Sequence, residues 1–343
     1  MNELDYDIVI VGMGLGASAI AAHLSAIGAR IAMVPGVGCA RFKHLDGGTV
    51  APGNLESVFG TSSDAPLHAF GDTHAFRRDL LEAWAVDRVR DSTDIIDDFA
   101  DLCVVPHASG QLGLQEESGD REIVASLIVL TEGASPKIGI AAKIRIDFEP
   151  EDLLHFGRTI LPGVEIPVPV AGEWRTSWNM PAWYGAIPHP DGAIVSASAR
   201  IENLMRVNRD GRDVLADFLQ SPIAASMGLP SVADTVGMEL VPLTPPSRHV
   251  VVGTHRMLIA PDANGTIDPR SLHRFTEVLA SGAQLGAHIA ERWPHFSDWE
   301  DAGVDLAAMF TPRRTPYHDS SETGFIEDGA AGNSRLLRRL LKR

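Results

Sequence analysis

An α/β fold with a dinucleotide-type crossover at its start and a second, mixed-sheet domain is what this sequence predicts, on three observations. The chain has 343 residues, 45% hydrophobic and 22% charged. At about 150 residues per domain that gives roughly two globular domains, and it excludes disorder, collagen and coiled coil. Glycine is abundant, at 32 residues, and such chains use glycine for tight turns and close backbone approach to a ligand. Finally, Gly12, Gly14 and Gly16 stand directly behind an apolar run and ahead of a helical stretch.

The elements follow in order. Residues 7–11 are β-branched and apolar after Asp7, the pattern of a buried parallel strand. Gly12-Met13-Gly14-Leu15-Gly16-Ala17-Ser18 opens a helix that runs to Ile27 and stops at Gly28, and residues 30–34 form a second strand. In such a β-α-β unit the first glycine allows the tight turn and the next lets the backbone approach a pyrophosphate. Small residues such as Ala17 let the helix pack on the strand. The helix start then offers free N–H groups to phosphate. A glycine turn with a purely structural role is the other reading of the same residues. One part of the motif is absent: an acid normally ends the second strand and binds ribose hydroxyls, whereas Val34 is followed by Pro35-Gly36.

Charge and cysteine usage narrow the function classes. Lysine and arginine number 29 against 45 aspartates and glutamates, a net charge of −16, which argues against a nucleic-acid surface. Cys39 and Cys103 are the whole cysteine complement. They are too few for a disulfide framework or an iron–sulfur cluster, and they fit a reducing compartment. No apolar run is long enough for a transmembrane helix, and the acidic opening is unlike a signal peptide. The expected location is cytoplasmic. Histidines 44, 107, 189, 255 and 273 form no helical H-x-x-x-H pair, so no metal site is expected.

Five segments carry a resemblance. Lys43-His44-Leu45-Asp46-Gly47-Gly48-Thr49-Val50 follows the crossover, and Phe76-Arg77-Arg78-Asp79-Leu80-Leu81-Glu82-Ala83-Trp84 comes next. Further on stand Leu127-Ile128-Val129-Leu130-Thr131-Glu132-Gly133-Ala134-Ser135, then Ala182-Trp183-Tyr184-Gly185-Ala186-Ile187-Pro188-His189-Pro190-Asp191-Gly192, then Leu258-Ile259-Ala260-Pro261-Asp262-Ala263-Asn264-Gly265. With the glycine turn, their order resembles the FixC-like flavoproteins, the group of electron-transfer-flavoprotein:quinone oxidoreductases related to geranylgeranyl reductases. The resemblance implies a Rossmann-type FAD-binding domain in a glutathione-reductase-like, p-hydroxybenzoate-hydroxylase-like arrangement, with a mixed-sheet substrate domain. It implies an FAD-dependent oxidoreductase passing electrons between flavin and an organic substrate or an electron-transfer flavoprotein. FAD would be held by Gly12, Gly14, Gly16 and Ala17 at the pyrophosphate, with Arg78 near the phosphates and Gly47 and Gly48 bordering the ring. Asp262, Asn264 and Gly265 would lie along the ribityl and phosphate portion.

Against that pattern stand three departures. The acid after Val34 is replaced by Pro35, the turn before Asp262 begins with Pro261 and so lacks an N–H, and Arg274 occupies the place of a glycine packed against the isoalloxazine ring. They motivate a second reading, a flavoprotein-like subunit that has lost FAD and packs against a partner in a hetero-oligomer.

Candidate chemistry is sparse. His189, in a Pro-flanked turn, is placed to donate a proton, or is a solvated turn histidine. Trp183 and Tyr184 line a substrate or the flavin face, or are core aromatics. The expected organisation is a discontinuous nucleotide domain from residues 1–60, 121–145 and 250–300, a helical connection over 61–120, a substrate domain over 150–248 and a tail over 301–343. Residues 193–198 read as a strand and 211–219 as a helix, and Pro162, Pro167 and Pro169 suggest an edge strand or loop. In the tail, Leu336, Leu337, Leu340 and Leu341 form an apolar stripe against arginine and lysine. Such a helix docks an anionic membrane surface or an acidic partner, or packs on its own domain.

Overall fold

The computed structural model describes residues 2–36, 43, 46–70, 73–99, 102–107, 111–116, 118–132, 153–242, 253–254, 257–260 and 274–294. Pro261, Asp262, Asn264, Gly265, His44, His255, His273 and the tail stripe lie outside them.

The chain begins with strand β1 (Asn2–Val11), helix α1 (Leu15–Leu24) and strand β2 (Ile31–Val34), so the first crossover forms as the apolar periodicity requires. Then come β3 (Gly47–Val50), α2 (Pro52–Phe59), β4 (Leu67–Phe70), β5 (Thr73–Arg77), α3 (Arg78–Val89), β6 (Asp94–Ile95), β7 (Leu102–Pro106), β8 (Leu112–Glu116) and β9 (Arg121–Leu130). Residues 61–120 are therefore no helical connection: α3 is their one described helix, and the rest carries strands. Leu102 to Pro106 and Leu112 to Glu116 pair as a hairpin on the first half of β9.

Parallel pairing sets the centre of the larger sheet. Ile8 to Val11 run beside Ile31 to Val34 on one side and Leu127 to Leu130 on the other. The short strand β16 (Met257–Ile259), preceded by β15 (Gly253–Thr254), pairs with the second half of β9. Both faces of β1 are buried from Ile8 to Val11, which is why that run is apolar without alternation. One face packs on α1, α3 and the long helix of residues 274–292, and the other on Phe99, Leu102 and Leu114.

The second sheet comprises β10 (Leu153–Pro162), β11 (Val170–Arg175), β12 (Pro181–His189), β13 (Gly192–Arg200) and β14 (Gly237–Pro242), in the order β11-β12-β13-β10-β14. All its pairs are antiparallel; mixed strand directions belong to the larger sheet. Pro162 does not mark an edge strand: β10 lies between β13 and β14, and its proline sits at the last paired position, opposite Gly192. Pro167 and Pro169 fall in the connection to the edge strand β11. Helices α4 (Ile201–Arg206), α5 (Gly211–Leu219) and α6 (Pro222–Ser226) cover one face of this sheet. Asp210 caps α5 in a reciprocal capping box with Asp213. The last described helix, α7 (Arg274–Arg292), returns to cross α1. It does so closely: a Cβ on Gly282 would fall 2.6 Å from the Gly16 carbonyl oxygen.

Candidate functional site

Three strand ends meet at the glycine turn. Gly12 N–H donates to the Val34 carbonyl at 2.8 Å, and Thr131 donates to the Val11 carbonyl through its N–H at 2.7 Å and its hydroxyl at 2.9 Å. Gly12 has φ +129°, and a Cβ there would lie 2.1 Å from Thr131 Oγ1. Only glycine meets both demands. Gly14 then sits at the N-cap of α1, where no side chain caps the helix and no acid stands in the first turn. The first-turn N–H groups and the positive end of the dipole are left for an anion. Gly16 and Ala17 lie within α1; Ala17 is buried in the core under the sheet, and Gly16 receives Val278 and Gly282 of α7. Thus Gly12 and Gly14 form a phosphate turn, while Gly16 and Ala17 set helix packing.

Gly47 and Gly48 are occupied differently. A Cβ on Gly47 would fall 2.2 Å from the Phe76 carbonyl oxygen, and one on Gly48 2.7 Å from the Phe275 ring. Their open sides admit β5 and α7, and Phe76 meets Phe275 edge to face at 5.2 Å. Glycine is needed there for packing within the protein.

Arg78, the first residue of α3, is held in a buried ion network. Its Nη1 reaches Asp46 Oδ2 at 2.9 Å and its Nε reaches Glu82 Oε1 at 2.8 Å, one helical turn on. Arg158 Nη1 takes the other Asp46 oxygen at 2.7 Å, and Lys43 Nζ takes Glu82 Oε2 at 2.6 Å. Burial alone would push the Asp46 carboxyl up, but Arg158, Arg78 and Arg274 together bring it down to about 2. Burial likewise opposes the charge of Arg78, and Glu82 and Asp46 overcome it, so the guanidinium stays protonated. Glu82 Oε1 also stands 3.3 Å from where a Cβ of Gly14 would be, which brings this network to the phosphate turn.

Beside the network, a cavity of about 60 Å³ opens between the second sheet and α7. Period-two alternation decides its wall. Phe156, Ser198 and Trp183 form one cross-strand row, Arg158, Ser196 and Gly185 the next, and Ile194 with Ile187 the third. Asp46, Gly47, Gly48, Arg274 and Phe275 close the opposite side. The Ser198 hydroxyl, 1% exposed, has no hydrogen-bond partner among the described residues. Trp183 donates its indole N–H to Glu173 at 2.8 Å, which fixes the ring at the cavity.

The structure separates the sequence candidates. Trp183 and Arg274 reach the cavity. The Tyr184 side chain turns to the helix-covered face and stacks on Phe218 at 4.7 Å, and burial raises its pKa. It is a core aromatic, because its neighbour Trp183 takes the other face of the strand. His189 is not a solvated turn histidine: it is 1% exposed, its Nδ1 accepts the Asp191 N–H at 3.1 Å, and burial lowers its pKa. Sequence reasoning missed Asp46, Glu82, Arg158 and Ser198 as site residues. The available signal was charge: Arg158 stands in an apolar strand, and Asp46 directly precedes two glycines.

At the phosphate end, the uncapped α1 start and the side-chain-free Gly12 and Gly14 fit an FAD pyrophosphate. At the ring end, Arg274, Asp46 and Phe275 already contribute to the cavity wall, so a ring would share this space with charged side chains.

No protein-family model and no curated protein matches the sequence. Solved structures do. A geranylgeranyl bacteriochlorophyll reductase-like protein from Thermoplasma acidophilum aligns with a TM-score of 0.70 at 14% identity, over 91% of this chain and 84% of that one. The myxobacterial chondrochloren halogenase CndH, described as a variant of FAD-dependent halogenases, aligns at 0.64 and 14%, over 99% and 90%. The probable FAD-dependent monooxygenase pqsL of Pseudomonas aeruginosa aligns at 0.59 and 12%, over 92% and 100%. At such identities the likeness is one of fold: this chain shares with those structures a Rossmann-type α/β fold that carries a second, antiparallel sheet.

Proposed function

We propose that the protein is an FAD-dependent oxidoreductase that passes electrons between flavin and a small organic substrate in the cavity under the second sheet. The observation that carries this reading is the turn at the carboxyl end of β1, where Gly12 at φ +129° and the uncapped start of α1 leave backbone N–H groups for a pyrophosphate. FAD, when bound, supplies hydride or single-electron transfer at its ring. Gly12 and Gly14 would hold its phosphates, and Asp262, Asn264 and Gly265 are assigned to its ribityl and phosphate portion by the FixC-like resemblance. The protein's own contribution is to exclude water with Phe156, Ile187, Ile194 and Phe275, and to place charge at the reacting centre with Arg158 and Arg274. An electron-transfer flavoprotein serves in this reading as the second redox partner.

The visible spectrum of the purified full-length protein tests it. A flavin band with FAD released on denaturation is expected; a folded, colourless protein that takes up no added FAD overturns the reading.

A second reading, a subunit that has lost FAD and acts by packing on a partner, is favoured by the commitment of Arg78 to Asp46 and Glu82 and by the Glu82 carboxylate beside Gly14. Co-purification separates the two. A stable hetero-oligomer without flavin supports the second reading, and a monomer or homodimer with stoichiometric FAD removes it.

A further inference from the structure

The end of β2 lacks the acid that a dinucleotide-type crossover turns to ribose, since Val34 is followed by Pro35 and Gly36. The chain leaving β9 reaches that place instead. Strands β9 and β2 pair with opposite edges of β1, so with about 4.8 Å between neighbours their backbones run roughly 10 Å apart. Beyond Leu130 that separation closes. Thr131 is bonded to the Val11 carbonyl through both its N–H and its hydroxyl, and it fills the space a Cβ of Gly12 would take, so the segment crosses over the end of β1. Glu132 then stands against the end of β2. A Cβ on Gly36 would lie 3.2 Å from the Glu132 Cγ and 3.5 Å from its Cα and Cβ. Glycine at position 36 is what admits this side chain.

A carboxylate is thereby delivered from β9 to the carboxyl end of β2, one bond beyond that Cγ, on a half-buried residue. Its two oxygens suit two neighbouring hydroxyls, and with about four acceptor positions it holds them alongside a protein partner. The other carboxylate at the glycine turn, Glu82, lies by Gly14 at the start of α1 and is taken by Arg78 and Lys43. That is the phosphate position, so the two acids divide between different parts of a dinucleotide.

We infer that Glu132 holds the ribose hydroxyls of the cofactor's adenosine half, in place of the acid missing after Val34. The inference rests on the FAD reading above for the identity of the cofactor, and it deepens that reading by naming the residue that recognises one of its parts.

Titration of the full-length protein with ADP and with 2′,3′-dideoxy-ADP, which lacks both hydroxyls, tests the assignment. Binding is read by the release of FAD fluorescence where flavin is bound and by calorimetry where it is not. ADP is expected to bind about tenfold or more tightly than the dideoxy nucleotide, the scale of a hydrogen bond to a charged group. Glu132→Ala is expected to remove most of that preference, weakening ADP about tenfold and the dideoxy nucleotide by less than about twofold. Glu132→Gln keeps an acceptor without the charge, and is expected to weaken ADP about three- to tenfold. Equal weakening of both nucleotides in Glu132→Ala would mark a merely structural residue and overturns the inference, as does a preference that survives the substitution. A protein that binds FAD but does not distinguish the two nucleotides overturns the ribose assignment and leaves the oxidoreductase reading standing. The stated preference in a protein that takes up no FAD upholds Glu132 as the ribose acid and removes the flavin. A folded protein that binds neither FAD nor ADP overturns both.

Discussion

Arg78 and Asp46 are joined twice. Their side chains pair at 2.9 Å, and the Arg78 N–H donates to the Asp46 carbonyl at the same distance, so the start of α3 is locked to the segment that leads into Gly47 and Gly48. Removing one partner of a buried pair leaves the others uncompensated, at about 3–5 kcal/mol. Asp46→Asn is therefore expected to lower stability by that order, read as a fall in the denaturant midpoint at pH 7. The pH dependence has a definite sign. The Asp46 carboxyl is depressed from its ordinary 3.8 to about 2, so its contribution is fully present above about pH 4 and is lost as pH falls towards 2. Asp46→Asn should flatten stability across that window, and an unchanged acid limb would contradict the assignment.

Gly12 and Gly14 separate folding from binding. Gly12→Ala places a Cβ 2.1 Å from Thr131 Oγ1 at φ +129°, which is expected to cost about 2–4 kcal/mol in strain and overlap and to abolish FAD retention. In Gly14→Ala the nearest atom, Glu82 Oε1, is 3.3 Å away, so stability should change by less than about 1 kcal/mol. The added methyl nevertheless stands at the phosphate turn, and FAD content should fall severalfold. Equal loss of FAD and of melting temperature in both variants would sink this distinction.

How much of this was legible depended on range. β1, α1 and β2 are set by local periodicity and by glycines at fixed offsets, and they form where expected, although β1 starts five residues earlier, at Asn2, and α1 stops three residues short of Ile27, at Leu24. The strand over 193–198 and the helix over 211–219 are likewise local. Residues 61–120 misled because their strands are short and some pair outside the segment, as His74 to Arg77 do beside Gly47 to Val50. Pro162 reads as an edge signal, yet at the terminal pair of β10 its missing N–H interrupts no continuing ladder. The cavity was the least legible part. Asp46, Arg158 and Ser198 meet only through tertiary packing, and nothing in the segment around Arg158 reveals that its partner precedes Gly47. The glycines showed where close approach occurs. They did not show that at Gly47 and Gly48 the approaching group is the protein itself.

The crossing of α1 and α7 gives a second pair of contrasting variants. A Cβ on Gly282 would stand 2.6 Å from the Gly16 carbonyl, whereas one on Gly53 in α2 meets nothing within 4 Å. Gly282→Ala must push the helices apart and is expected to cost about 1–3 kcal/mol. Gly53→Ala should stabilise by about 0.5–1 kcal/mol through helix propensity. Thermal melts check both.

His189 gives the pH dependence near neutrality. With Nδ1 accepting the Asp191 N–H at 3.1 Å, the neutral ring carries its proton on Nε2, which is buried without a partner among the described residues. Burial disfavours the imidazolium and lowers the pKa below 6.5, although Asp191 acts in the opposite direction. The unfolded chain therefore takes up the proton first as pH falls below 6.5, and stability declines from there until the folded-state pKa is passed. His155 is shifted in the same direction by burial and adds to the slope. His189→Asn retains a side-chain acceptor for the Asp191 N–H but cannot titrate. Its melting temperature is expected to fall less between pH 7 and pH 5 than that of the parent protein, with the remaining slope due to His155 and other groups. If both proteins lose the same number of degrees across that interval, His189 does not enter the folded core in its neutral form.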